Sequence, residues 1–262
     1  MELHKLIILC PLIFIAGMLD AIVGSGSLIA LPAYMAVGLP PHFAYGTNKF
    51  ANCFGTITSA LRYIKNKRFD LKSVLLFSII CMIGSFIGSK TTLYLDDKFL
   101  KYILMFLLPI LVILLVVRKK DKKDILEVSE DSEPISKIKL VILSLVLGLT
   151  MGFYGGFLGV GITSFLILVF INIFKISSIK ACGNARIVNG GINIVAMTTF
   201  LISGKVNFIV AIPAAISAIL GNYIGAGLAI KKENKIIKPL FVIIFIILFI
   251  KLILEMFFKI GV

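Results

Sequence analysis

Gly24-Ser25-Gly26-Ser27 interrupts one long apolar stretch of this chain, and Gly159-Val160-Gly161 interrupts another at the corresponding place in the second half. Glycine brings no reactive group, but without a Cβ it lets backbone amides come close to a ligand. Breaks in matching segments of an internal repeat are the best sequence pointer to a binding site near the bilayer midplane. The pairing points to a membrane transporter.

Composition agrees. Of 262 residues 59% are hydrophobic and 15% charged, and mean hydropathy is +1.07. The charges gather in short clusters and leave apolar runs at 71–93, 102–117, 206–230 and 240–254. Runs of roughly 20 residues match the thickness of a hydrocarbon core. The chain is therefore an all-α polytopic membrane protein in contact with the lipid bilayer. A net charge of +14 in a soluble protein would suggest nucleic acid. Here the positive residues fall in loops, where they set orientation and meet anionic headgroups, and no nucleic-acid partner is expected. Cys10, Cys53, Cys81 and Cys182 lie in or beside apolar segments without C-x-x-C spacing. They read as reduced packing residues, and no metal or cofactor is expected. The first 25 residues look like a signal peptide, but Asp20 and the glycine break follow directly, so the segment is expected to be retained.

One offset relates the two halves. A shift of 137 residues carries Gly46, Lys49 and Asn52 onto Gly183, Arg186 and Asn189. It also carries Gly84-x-x-x-Gly88 onto Gly221-x-x-x-Gly225, and Arg68, Lys98 and Lys101 onto Lys205, Lys235 and Lys238. The breaks at 24/26 and 159/161 share a shift of 135, so the second half holds a two-residue insertion between break and helix. The organisation is a first membrane repeat over 1–117, a charged cytoplasmic linker over 118–139 and a second membrane repeat over 140–262. Each repeat reads as a broken stretch (6–38, 140–174) followed by three helices, near 44–62, 71–93 and 99–117, then near 180–202, 207–229 and 236–257.

Lysine and arginine counts decide whether the broken stretches cross once or turn back. With the 118–139 and 62–72 loops inside, hairpins place Lys175, Lys180, Lys231, Lys232, Lys235 and Lys238 inside, against Lys205, Lys251 and Lys259 outside. Single crossings invert that ratio, and cytoplasmic loops carry the positive excess. A hairpin plus three crossings is an odd count, so the halves insert with opposite orientation. The expectation is two inverted repeats, about ten membrane segments and both termini outside. Eight segments is the alternative.

Ionisable residues inside a membrane cost about 2.5–3.5 kcal/mol each on insertion scales and usually serve a purpose. Asp20, Lys49 and Arg186 are the three that stand out. Two cations at repeat-equivalent positions, each near asparagines, suit a small anionic substrate held between the repeats. Asn48, Asn52, Asn184, Asn189 and Asn193 offer amide donors without added charge. The helices restarting at the breaks offer free amides and a positive dipole end. The expected substrate-binding set is Gly24, Ser25, Gly26, Ser27, Asn48, Lys49, Asn52, Gly159, Gly161, Thr163, Asn184, Arg186 and Asn189. Asp20 either neutralises one cation or couples protons. Snorkelling of Lys49 and Arg186 to an interface is the competing reading. The Gly-x-x-x-Gly pairs read as helix packing, and Asp96-Asp97 as a solvated loop. His4 and His42 fit no metal pattern. A cation or metal carrier would favour buried carboxylates. A membrane enzyme would need clustered acids or a nucleophile–base pair. Both fit this sequence less well than a non-enzymatic anion carrier.

These motifs carry a resemblance. Gly17-x6-Gly24-Ser25-Gly26-x5-Pro32 with Gly46-Thr47-Asn48-Lys49, and Gly148-x3-Gly152-x2-Gly155-Gly156-x2-Gly159-Val160-Gly161, resemble the TauE/SafE family of sulfite exporters over essentially the whole chain. Ser25, Ser27 and Ile162 stand where glycine is common in that family, and the second motif lacks a counterpart of Pro32. The resemblance implies a permease of a prokaryotic inner membrane for sulfite or related sulfur-containing anions, including organosulfonates. Export suits the physics. A monovalent anion leaving a negative cytoplasm gains about 2.3 kcal/mol per 100 mV. Which anion, which coupling ion and which oligomeric state, a homodimer among them, stay open.

Overall fold

The computed structural model describes residues 3–117 and 137–231, all of them helix or short connection. The elements are α1 (Leu3–Val23), α2 (Ser27–Ala36), α3 (Pro41–Lys65), α4 (Leu71–Tyr94), α5 (Asp97–Val117), α6 (Lys137–Phe157), α7 (Ile162–Asn172), α8 (Ser178–Ile202) and α9 (Phe208–Lys231). The expected helix near 236–257 and most of the 118–139 linker lie outside the described residues. Among the described residues four spans, Lys5–Ile22, Val74–Tyr94, Ser178–Ile202 and Phe208–Ile230, are long and apolar enough to cross a membrane.

The breaks are backbone events. Gly24 (φ 86°), Gly159 (φ 68°) and Gly161 (φ 70°) take left-handed conformations that L side chains avoid, which ends α1 and α6. α2 and α7 then restart with 10 and 11 residues. At 1.5 Å per residue neither arm reaches across a core of about 30 Å. α2 packs back on α1 and α7 on α6. A Cβ on Gly26 would strike the Ala16 carbonyl oxygen, so the first arm lies tight against α1.

Contacts between the halves pair off under the two offsets. α1 lies along α9, and α6 lies along α4. A Cβ on Gly84 would meet the Leu149 carbonyl and Phe153 amide, while one on Gly221 would meet the Phe14 carbonyl and Met18 amide. Gly88 faces the Phe153 carbonyl as Gly225 faces that of Met18. Gly46 abuts the Lys205 carbonyl, and Gly183 abuts that of Arg68. The Gly-x-x-x-Gly pairs are therefore sites of close backbone approach between helices.

The outer faces also pair. Leu75, Ile79, Ile83, Phe86 and Ile87 on α4, and Ile212, Ile216, Leu220, Tyr223 and Ile224 on α9, are exposed large side chains 137 residues apart. Apolar stripes left open to the surroundings suit lipid. The polar residues go inside instead: α3 and α8 bury Thr47, Asn48, Lys49, Thr56, Asn184, Arg186, Asn189 and Asn193. These two 25-residue helices pack on each other at the centre.

One surface expectation is corrected. Asp96 lies exposed in the connection as expected, whereas Asp97, half-exposed, opens α5. Its Oδ1 lies 2.5 Å from His42 Nδ1 and accepts the His42 amide at 3.0 Å. His42 Nε2 lies 3.1 Å from the Thr92 carbonyl, so this imidazole ties together the ends of three helices.

Candidate functional site

The site is built from helical spacing on α3 and α8. Lys49, Asn52 and Thr56 follow at i, i+3 and i+7, as do Arg186, Asn189 and Asn193, so each triplet lines one helix face. The stripes meet where Asn193 Nδ2 donates to Thr56 Oγ1 at 3.2 Å. Thr56 and Asn193 are themselves 137 residues apart, so each is the other's counterpart.

Both cations are enclosed in protein rather than snorkelling. Lys49 is 2% and Arg186 1% exposed. Arg186 donates from Nη1 to Asp20 Oδ2 at 2.6 Å, a buried ion pair. Oδ1 of the same carboxylate accepts the Gly26 amide at 3.3 Å, across the turn that ends α1. Lys49 Nζ donates to the Gly155 carbonyl, and a Cβ on Gly159 would strike the same ammonium. Among the described residues no carboxylate pairs with Lys49.

The tips are tied to the same helices. Ser27 Oγ accepts from Asn52 Nδ2 at 3.1 Å and from Asn48 Nδ2 at 3.5 Å, while Asn52 also donates to Asn48 Oδ1 at 3.1 Å. In the second half Thr163 Oγ1 accepts from Asn189 Nδ2 at 2.9 Å, and Asn189 Oδ1 accepts from Asn193 at 3.4 Å. The tips also touch each other, since a Cβ on Gly24 would lie 2.6 Å from Thr163 Cβ. Ser25 is buried in the first turn, its carbonyl accepting the Leu28 amide at 3.0 Å. Gly161 is buried, yet a Cβ there would meet nothing within 4 Å.

Of the residues expected from sequence, all but Asn184 thus come together. Asn184 sits roughly 200° around α8 from Arg186. Its Oδ1 accepts the Asp70 amide at 2.8 Å, as Thr47 Oγ1 accepts the Asn207 amide at 3.2 Å. Thr47 and Asn184 are counterparts that hold the loops after α3 and α8. Sequence reasoning did not count Thr56 or Gly155 among the site residues, although the offsets of 137 and 135 carry them onto Asn193 and Asp20.

Chemically, this is two buried cations, amide donors and two helix starts around one seam, with no nucleophile–base pair in it. No group of three metal-ligating side chains occurs among the described residues. The arrangement can hold an anion.

Comparison with known proteins points to a membrane transporter. A family model described as "Sulfite exporter TauE/SafE" matches residues 9–252. A "Probable membrane transporter protein ORF9" of Sinorhizobium sp is 32% identical over 92% of this chain and 89% of its own. "Probable membrane transporter protein YfcA" of Escherichia coli (strain K12) is 29% identical over 88% and 82%. "Probable membrane transporter protein YunE" of Bacillus subtilis (strain 168) is 26% identical over 88% and 91%. No solved structure matches the chain.

Proposed function

This chain belongs to the sulfite exporter TauE/SafE family of multi-pass membrane transporters, and from that premise we propose that it exports sulfite or a related sulfur-containing or organosulfonate anion across a prokaryotic inner membrane by alternating access. The substrate sits on the seam between α3 and α8, with Lys49 as its charge partner and the two breaks as amide donors. Ten membrane segments in two inverted repeats, both termini outside, form the frame. The reciprocal packing of α1 on α9 and α6 on α4 supports the two-repeat part of that frame, because copies of one fold related by a two-fold axis exchange their contacts in this way.

One observation carries the proposal. Two buried cations stand at counterpart positions, and among the described residues only one is matched by a carboxylate. A buried ammonium without a counter-anion is unfavourable unless a ligand completes it.

Purified protein in proteoliposomes on a solid-supported membrane tests this directly. Jumps of sulfite, thiosulfate, sulfoacetate, sulfate, acetate and chloride are expected to give currents with sulfur oxyanions that Lys49→Met abolishes. Intact protein silent to every anion, or full currents from Lys49→Met, overturns the reading.

A further inference from the structure

The groove between α3 and α9 carries a charge that the central seam does not use. Arg62, in the last turn of α3, reaches across to α9. Its Nη1 donates to the Tyr223 carbonyl, and its Cζ stands 4.3 Å from the centroid of the exposed Tyr223 ring. Gly227, one turn further, makes the room, because a Cβ there would strike the guanidinium. A guanidinium has five N–H groups. Among the described residues only Nη1 has an acceptor, and no carboxylate pairs with Arg62. Lys65, Lys67 and Arg68 follow, all exposed, with Asp70 the one acid of the stretch 62–70.

An apolar track leads away from this corner. Ile209, Ile212, Ile216 and Leu220 are exposed along α9, and Leu61 is exposed beside Arg62 on α3. Ile209 and Tyr223 stand roughly 20 Å apart along the helix, while Gly227 is roughly 6 Å from the end of α9 at Lys231. Cation and ring therefore sit at headgroup depth, where tyrosine is favoured, and the track lies at acyl-chain depth. The counterpart corner is built differently. Tyr223 corresponds to Phe86 and Gly227 to Lys90, whose Nζ stands 5.4 Å from the Phe86 centroid on its own helix. A cation over an exposed ring recurs, but there it is a lone ammonium, and Asp96 and Asp97 precede the next lysine.

We propose that the α3–α9 corner binds an anionic phospholipid, its phosphate on the Arg62 fork and its acyl chain along the α9 track. The planar fork matches phosphate with parallel N–H bonds. Each basic residue near the surface adds attraction for anionic lipid, which Lys65, Lys67 and Arg68 supply. The track commits the site to a lipid, since a free phosphate would leave it unused. The corner lies outside the seam, so the inference stands apart from what the seam carries.

Native mass spectrometry of the purified full chain tests this, with dioleoylphosphatidylglycerol and dioleoylphosphatidylcholine as probes that share acyl chains and differ in headgroup charge. The native protein is expected to bind phosphatidylglycerol at least about fivefold more tightly, the worth of one basic side chain at an anionic surface. Arg62→Gln is expected to bring the two lipids within about twofold of each other, and Lys90→Gln to keep the native preference. Lys65→Gln/Lys67→Gln changes exposed positions alone, and is expected to weaken phosphatidylglycerol at least about threefold with phosphatidylcholine unchanged. Glycerophosphoglycerol, the same headgroup without chains, is expected not to displace the lipid at equal concentration. Equal binding of the two lipids by the native chain overturns the inference. So does full preference in Arg62→Gln, lost preference in Lys90→Gln, unaltered phosphatidylglycerol affinity in the double variant, or displacement by the chainless headgroup.

Discussion

Arg186 on α8 and Lys49 on α3 occupy equivalent turns, yet one is closed by a carboxylate and the other by a carbonyl. The surroundings match closely: counterpart asparagines, counterpart tips, counterpart loops held by Thr47 and Asn184. Duplication supplied a symmetric frame, and single positions made its two cations different in kind. The choice of cation follows the same division. A guanidinium has a planar, preorganised fork and is the better permanent partner for a carboxylate. An ammonium is a compact point charge on a flexible stem, better suited to a partner that comes and goes. The pair that joins α1 to α8 is built as a permanent contact, whereas the lysine on α3 is the charge assigned to the substrate in the function proposed above.

The largest test of that division is stability. Arg186→Ala leaves Asp20 buried without its cation, and breaking a buried pair from one side costs about 3–5 kcal/mol. Lys49→Ala leaves only the Gly155 carbonyl unmatched, for about 1–3 kcal/mol. Reversible unfolding in bicelles is expected to show Arg186→Ala as the clearly weaker protein, with Asp20→Asn in the same chain recovering most of the loss. Equal losses for the two single variants would place the lysine in the frame as well.

The frame itself is expected to respond evenly. Gly88→Ala drives a methyl at the Phe153 carbonyl, and Gly225→Ala drives one at the Met18 carbonyl. Overpacking of this kind costs about 1–3 kcal/mol. Both variants are expected to lose similar stability in the same assay. Gly190→Ala is the internal control, since a Cβ there meets nothing within 4 Å. It is expected to gain about 0.5–1 kcal/mol from reduced backbone freedom. A large loss in one glycine variant and none in the other would show that the α4–α6 and α1–α9 contacts are not energetic equivalents.

Much of this frame was legible because its signals are discrete. Glycine breaks, charges inside apolar runs and two constant offsets name the segments and the central cations directly. What was not legible depends on three-dimensional exchange. Sequence left Asp20 free to serve Lys49 or Arg186, and the choice follows from how the first hairpin reaches the second half's α8. Asn184 looked like a ligand by proximity to Arg186, but two residues along a helix is the opposite face. Asp97 is half-exposed, and its partner His42 was hidden because it lies 55 residues away. Thr56 and Gly155 carried no chemical signal of their own. Gly155 stood in the glycine motif of the second half, but only the offsets tie the two positions to the site, since one lands on Asn193 and the other on Asp20.

The comparison between halves ends where the two stripes meet. Asn193 Nδ2 and Thr56 Oγ1 are 3.2 Å apart, a contact between counterparts and so without a second copy. Elsewhere in the seam a variant can be matched by its equivalent, whereas here both members share one bond. Thr56→Val and Asn193→Leu each remove it, for about 0.5–1.5 kcal/mol. Two independent contacts would add in the double variant, but a shared one is lost only once. The double variant is therefore expected to unfold at close to the midpoint of the weaker single variant. Additive losses would mean that each side chain serves its own half, and that α3 and α8 cross without a common hydrogen bond at the centre.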